Sequence, residues 1–308
     1  MLDVSDAVDL LFTGVTPERV TELKSLWGEH ENRVRLLPAD GFLLQQLPGA
    51  GVIQVNEIAL RQIWLTGYAA WDGVDAYSAV IAQLLLSNRP FDPVSLRALD
   101  KQIDRDAKFD RAVDRVRELG SHISIDDFPW PEDVPKPIVG LKIEDTTKKA
   151  VFDLVCMAGA FVFLHEIRHG LLDEVEDRPA EQIEEERECD RFARSFLTDE
   201  IPAYSAESGY PAKQVRAKRL LGVIIGLCVV LIITPRENWR GTSSHPSVRE
   251  RIEAVLKSDV TEEMSDTFFW STCASMLAAF ARHFGVLSGP IPFSSFRELA
   301  LQMCERLT

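Results

Sequence analysis

The chain has 308 residues, 46% of them hydrophobic and 27% charged, with a formal net charge of −14. That is ample apolar material for one large core or two modest ones, and it excludes a disordered chain. The negative balance argues against a nucleic-acid partner, because phosphate sites depend on clustered lysine and arginine. The five cysteines, Cys156, Cys189, Cys228, Cys273 and Cys304, are scattered, odd in number and form no CxxC pair. A reduced, cytoplasmic setting follows from that usage.

The opening stretch "MLDVSDAVDLLFTGV" carries acidic residues where a secretory signal carries lysine or arginine, so no signal peptide is expected. Thr16 and Pro17 start an amphipathic helix. Two short β-branched pieces follow, "RVRLL" and "GVIQVN", separated by the turn "LPGAG". From Glu57 to Leu86 the text is helical and rich in large apolar residues. "DPVSLRALDKQIDRDAKFDRAVDRVREL" is an amphipathic helix or helix pair with a charged outer face. Between 121 and 140, Pro129, Pro131, Pro135 and Pro137 forbid regular helix and favour extended backbone. That segment is expected either to link two regions or to line a cleft as an extended edge.

Beyond it, Thr146 or Thr147 is placed to cap a helix running from Lys148 through His169. Further helices are expected over about 180–197 and 220–233, in "HPSVRERIEAVLK" with Ser243 or Ser244 as cap and Pro246 at its first position, and in "TEEMSDTFFWSTCASMLAAFARHFG", closing on Gly285. The predicted fold is mainly α with a small β component (α+β). It divides into a helical region with short strands (1–120), the Pro-rich segment (121–140) and a chemistry-bearing core (141–308), with the first and last able to form one compact unit. The run "LLGVIIGLCVVLIIT" has 14 apolar residues before Thr234 and Pro235, short of the roughly 20 needed to cross a bilayer. A buried core helix and no membrane contact are expected; the basic "KQVRAKR" just ahead of it supports the alternative of a membrane anchor.

The chemistry concentrates in "FVFLHEIRHGLLDE". On a helix, His165 and His169 lie one turn apart on one face and can grip one ion together. Glu166 stands beside the first histidine, placed to take a proton from a water at that ion. The apolar stretch upstream buries this helix, and imidazoles left unpaired there would cost roughly 1–3 kcal/mol each. A catalytic zinc site wants a third protein ligand. In "EQIEEERECDRFARSFL", Ile183, Cys189, Phe192, Ala193, Phe196 and Leu197 mark the inward face. Stepping back from Cys189 reaches Glu186 and, as runner-up, Glu185, with Glu184 and Glu188 turned outward. Asp190, one turn beyond Glu186, is placed to orient a ligand histidine. His30, His122 and His283 lack ligand-like spacing; His30 reads as solvated, and His283 sits near a helix C-terminus, where a cation is favoured.

HExxH followed by E-x-x-x-D on the next helix resembles the gluzincin class of zinc peptidases. "SSHPSVRERI" resembles the HPxxxxRI segment of prenyl-protease-like and HtpX-like peptidases, and "EEERECDRFARSFL" resembles a helix of IrrE/ImmA-type metallopeptidases. In length, motif position and aromatic helices ahead of the motif, the chain is most similar to the Lit-type phage-exclusion peptidases. The resemblance implies a zincin-like helical core with HExxH on a buried helix. It implies Zn2+ held by His165, His169 and Glu186, Glu166 as general base, and Asp190 orienting a ligand. It further implies His245 as an oxyanion donor, a role worth roughly 3 kcal/mol, and Arg251 pairing with a carboxylate near the metal such as Asp190. Tyr204 is a second candidate donor. The function implied is a soluble intracellular endopeptidase that acts on a chosen protein substrate in phage defence and is switched on by a phage or host protein. The alternatives are a non-catalytic zinc-containing binding module and a membrane-anchored HtpX-like peptidase.

Overall fold

The computed structural model describes residues 4–28, 34–122, 124–138, 140–173, 178–259 and 267–307. In chain order its elements are α1 (Val4–Val15), α2 (Val20–Gly28), β1 (Val34–Leu36), β2 (Leu44–Leu47), β3 (Val52–Val55), α3 (Glu57–Leu86), α4 (Pro93–Leu96), α5 (Gln102–Leu119), α6 (Thr146–Leu172), α7 (Gln182–Thr198), α8 (Ile201–Ser208), α9 (Ala212–Ile233), α10 (Val248–Ala254), α11 (Thr267–His283) and α12 (Phe296–Arg306). Among the described residues the protein is mainly helical, with one small three-stranded sheet. Helices α1, α8 and α12 and strand β2 were not anticipated from sequence. His30 and residues 261–266 of the predicted "TEEMSD" helix start lie outside the described residues.

Local chemistry sets the helix ends. Asn56 caps α3 by accepting from Ala59 N at 2.8 Å, and Asp145, rather than Thr146 or Thr147, caps α6 by accepting from Lys148 N at 2.8 Å. The cap of α10 is Ser247, neither Ser243 nor Ser244. Ser247 Oγ accepts from Glu250 N and Glu250 accepts from Ser247 N, which leaves Pro246 outside the helix. The S-x-x-E signature is present in "SVRE"; the proline beside it drew the start to Pro246, two residues too early. Gly285, at φ +66°, does terminate the turn after α11.

Helices α3, α6 and α9 run through the core, with α5 and α11 packed on α3 and with α7 and α9 packed on α6. The apolar run at 220–233 forms the second half of α9, and nearly every residue in it is buried against the rest of the protein. Helix α6 is long and apolar enough to cross a membrane by length and composition, yet most of it too is buried inside the protein. Two glycines one turn apart let α9 approach α6. A Cβ built on Gly222 would lie 2.3 Å from Met157 Cβ, and one on Gly226 would lie 2.9 Å from the Phe161 ring. Gly222→Ala is therefore expected to lose roughly 1–3 kcal/mol through overpacking, read as a lower denaturation midpoint. An unchanged midpoint would show that the two helices can spread at no cost.

The sheet has the order β1-β3-β2: β1 is parallel to β3, and β2 is antiparallel to β3 with Gln46 opposite Ile53. Strand β2 is therefore an edge, and its free side faces α6. The Pro-rich segment is elsewhere. The carbonyls of Pro135 and Pro137 accept from Trp64 Nε1 (2.9 Å) and Arg61 (2.5 Å) on α3, and that of Asp133 from Lys148 Nζ at 2.9 Å. From Lys148 to His165 α6 rises about 25 Å, so this segment packs at the opposite end of the helix from the histidines. For residues 133–137, the expectation of an edge lining the histidine cleft does not hold.

Candidate metal centre

Helix α6 presents His165 and His169 one turn apart, and α7 lays Glu186 across them. The two Nε2 atoms are 3.2 Å apart. Glu186 Oε2 is 3.3 Å from His165 Nε2, and Glu186 Oε1 is 3.4 Å from His169 Nε2. These three residues can offer ligand atoms that all lie within 4.8 Å of one another. His165 and Glu186 are buried and His169 partly so.

Each imidazole is held from behind by a carboxylate. His165 Nδ1 donates to Asp190 Oδ1 at 3.0 Å, and His169 Nδ1 donates to Glu185 Oε1 at 2.7 Å. An ionised carboxylate only accepts, so both Nδ1 atoms carry the proton and both Nε2 lone pairs point at a common centre. Two lone pairs and a carboxylate converging this closely are mutually repulsive unless a positive charge lies among them. A proton can supply that charge as well as a metal ion can. Burial works against protonation of His165, but the bonds to Asp190 and Glu186 outweigh it and raise its pKa to about 10. For Glu186 burial works the other way, and the two histidines still hold its carboxyl well below the usual range.

Asp190 is itself clamped by Arg251, whose Nε donates to Oδ2 at 2.7 Å and Nη2 to Oδ1 at 2.6 Å. Against the cost of burial, Arg251 and His165 hold the Asp190 pKa at about 2. Helix α10 supplies Arg251, and the tight loop before it supplies His245. Gly241, at φ +88°, lies so close to the backbone of His245 and Ser247 that a Cβ would approach both at 2.9 Å. His245 Nε2 lies 3.6 Å from Glu186 Oε1, and its Nδ1 is paired with Ser244 Oγ at 2.8 Å; the ring remains half exposed.

Glu166 Oε2 accepts from the main-chain N–H of Gln46 in β2 at 2.6 Å. Burial raises its pKa, partly offset by His165 and His169, which makes it a stronger proton acceptor than an exposed glutamate. Sequence reasoning missed Gln46, because β2 carries no pattern that distinguishes it from the loop around it. It also missed Arg178 and Asp173, and weighed Glu185 only as a ligand, whereas that side chain faces Nδ1 of His169. The remaining candidates lie apart from this cluster in their contacts. Tyr204, on α8, has the Arg219 guanidinium 5.1 Å over its ring. His122 meets Phe128 edge-on, and His283 bonds Asp110 at 2.7 Å.

Comparison with known proteins accords with this geometry. The cell death peptidase of Escherichia coli (strain K12) is 22% identical over 242 residues, spanning 77% of this chain and 74% of that one. No solved structure matches. The sequence model of the peptidase U49 family matches residues 53–275, a stretch that runs from β3 into α11 and contains His165, Glu166, His169, Glu186, Asp190, His245 and Arg251. With most of its length matched, the chain belongs to the peptidase U49 family.

Proposed function

We propose that this peptidase is a zinc-dependent endopeptidase in which His165, His169 and Glu186 hold the metal. The observation that carries this is the spacing of the donors. Zinc bonds of 2.0–2.1 Å in a tetrahedron place neighbouring ligand atoms about 3.3–3.4 Å apart. Here the two Nε2 atoms are 3.2 Å apart, His165 Nε2 lies 3.3 Å from Glu186 Oε2, and His169 Nε2 lies 3.4 Å from the other carboxylate oxygen, Oε1, so each histidine is at about that spacing from one oxygen of Glu186. A set of two histidines and one glutamate is that of catalytic rather than structural zinc. When bound, zinc would acidify an attacking water and polarise the scissile carbonyl.

The other steps fall to the chain itself. Glu166 takes a proton from the attacking water and returns it to the departing amine, with the Gln46 N–H fixing the carboxylate. His245 donates to the oxygen of the carbonyl as charge develops on it. Asp190 and Glu185 keep Nδ1 of the ligand histidines protonated, and Arg251 keeps Asp190 charged. A binding module without catalysis would have no use for a buried carboxylate beside the histidines.

The reading extends to a cytoplasmic enzyme that cleaves one chosen protein in phage defence and is activated by a phage or host protein. Its support is the relative named a cell death peptidase and five cysteines that are all free thiols. The test is zinc content of the purified chain. About one zinc per chain is expected, lost in His165→Ala and Glu186→Ala and retained in Glu184→Ala, whose side chain is exposed. A wild-type chain that takes up no zinc on reconstitution would end the proposal.

A further inference from the structure

A ring of hydrogen bonds starts behind one histidine and closes on the candidate base. Glu185, buried in the first turn of α7, accepts from His169 Nδ1 and is gripped by Arg178, Nε to Oε2 at 2.7 Å and Nη2 to Oε1 at 2.9 Å. The third nitrogen of the same guanidinium, Nη1, donates to Asp173 Oδ1 at 2.5 Å, just past the end of α6. Asp173 Oδ2 then accepts from Gly49 N and from Gln46 Nε2, both at 2.9 Å. Gly49, at φ +72°, belongs to the turn joining β2 to β3. Gln46 completes the ring by giving its main-chain N–H to Glu166. Asp190 has its own arginine in Arg251, so each histidine is backed by a separate carboxylate–arginine pair.

We propose that Arg178 is a positioning residue that sets two things at once: the orientation of His169, through Glu185, and the seat of the β2–β3 turn against α6, through Asp173. The planar fork of arginine makes this possible. One edge of the guanidinium covers both oxygens of Glu185 while the remaining nitrogen reaches Asp173. Lysine, with a single ammonium, cannot span both. The Arg178 side chain is 43% exposed, so its replacement leaves no buried hole and the fold is retained. Through the turn, Arg178 also governs Gln46 and hence the placement of the Glu166 carboxylate. The inference rests on the zinc proposal for its first arm only; the second arm is a property of the protein alone.

The experiment measures zinc affinity of the full chain by competition with a chromophoric chelator, alongside amide hydrogen exchange of residues 44–52. Glu185→Met is expected to weaken zinc about 10–100-fold and to leave exchange at Gly49 as slow as in the wild type. Asp173→Asn is expected to speed exchange at Gln46 and Gly49 and to hold zinc at wild-type strength. Arg178→Met should do both, and Arg178→Lys should restore neither. If Arg178→Met binds zinc normally with slow exchange at Gly49, the inference is overturned while the zinc proposal stands. If Arg178→Lys behaves as wild type, charge alone suffices and the fork argument is overturned. A wild-type chain that binds no zinc overturns the zinc proposal and the first arm together.

Discussion

Glu166→Gln is expected to lower proteolysis by about 10²–10⁴-fold, the usual contribution of a general base, while zinc content and thermal stability stay near wild type. The side chain is nearly isosteric, and its amide oxygen can still accept from Gln46 N–H, so β2 keeps its seat on α6. What disappears is basicity, which burial strengthens in the native carboxylate. The measurement is cleavage of an unfolded reporter protein or of the natural substrate, compared with zinc content of the same preparation. Full cleavage by the glutamine variant would remove Glu166 from the mechanism. Loss of zinc along with activity would mean that Glu166 supports the ligands rather than the water.

Arg251→Met should cost about 3–5 kcal/mol at neutral pH, the cost of breaking a buried ion pair from one side. Asp190 is 3% exposed, and Arg251 gives it two of its three hydrogen bonds. The effect should depend on acidity, and its sign follows from the direction of the shift. Asp190 is held at a pKa of about 2 in the folded protein, against about 3.9 in an unfolded chain. Its stabilising contribution is therefore complete above about pH 5 and is lost progressively as pH falls through about 3.9 and then 2. The gap between wild type and Arg251→Met should thus narrow between pH 5 and pH 2 in denaturant titrations of the metal-stripped protein. A constant gap across that range would mean that the arginine contributes packing and not charge pairing. A gap below about 1 kcal/mol at pH 7, as for surface pairs, would mean that Asp190 finds water or another partner.

That His165, His169, Glu186 and Asp190 come together in one cluster was largely legible, because each belongs to a local pattern. His165 and His169 share a face through the 3.6-residue period, and the inward phase of α7 placed Glu186 and Asp190 on the same side as Cys189. The helical character of α3, α6 and α9 was equally open to reading, since apolar residues on all sides leave no surface for such a helix except the interior. Where local signals competed, reading failed. Pro246 outweighed Ser247 at the start of α10, and four prolines suggested a cleft edge where the structure has a brace on α3.

By itself, the sequence determined which helices are buried, where the histidines sit and which carboxylates can reach them, because those facts depend on periodicity within single elements. Only the tertiary structure decided that β2 would be the edge touching Glu166. It alone turned Glu185 toward the far nitrogen of His169, and it alone joined Arg178, Asp173 and Gly49 in one network. Gln46 and Glu166 are 120 residues apart. Contacts between such distant segments are fixed by how whole elements stack around a shared core, and no short-range pattern encodes them.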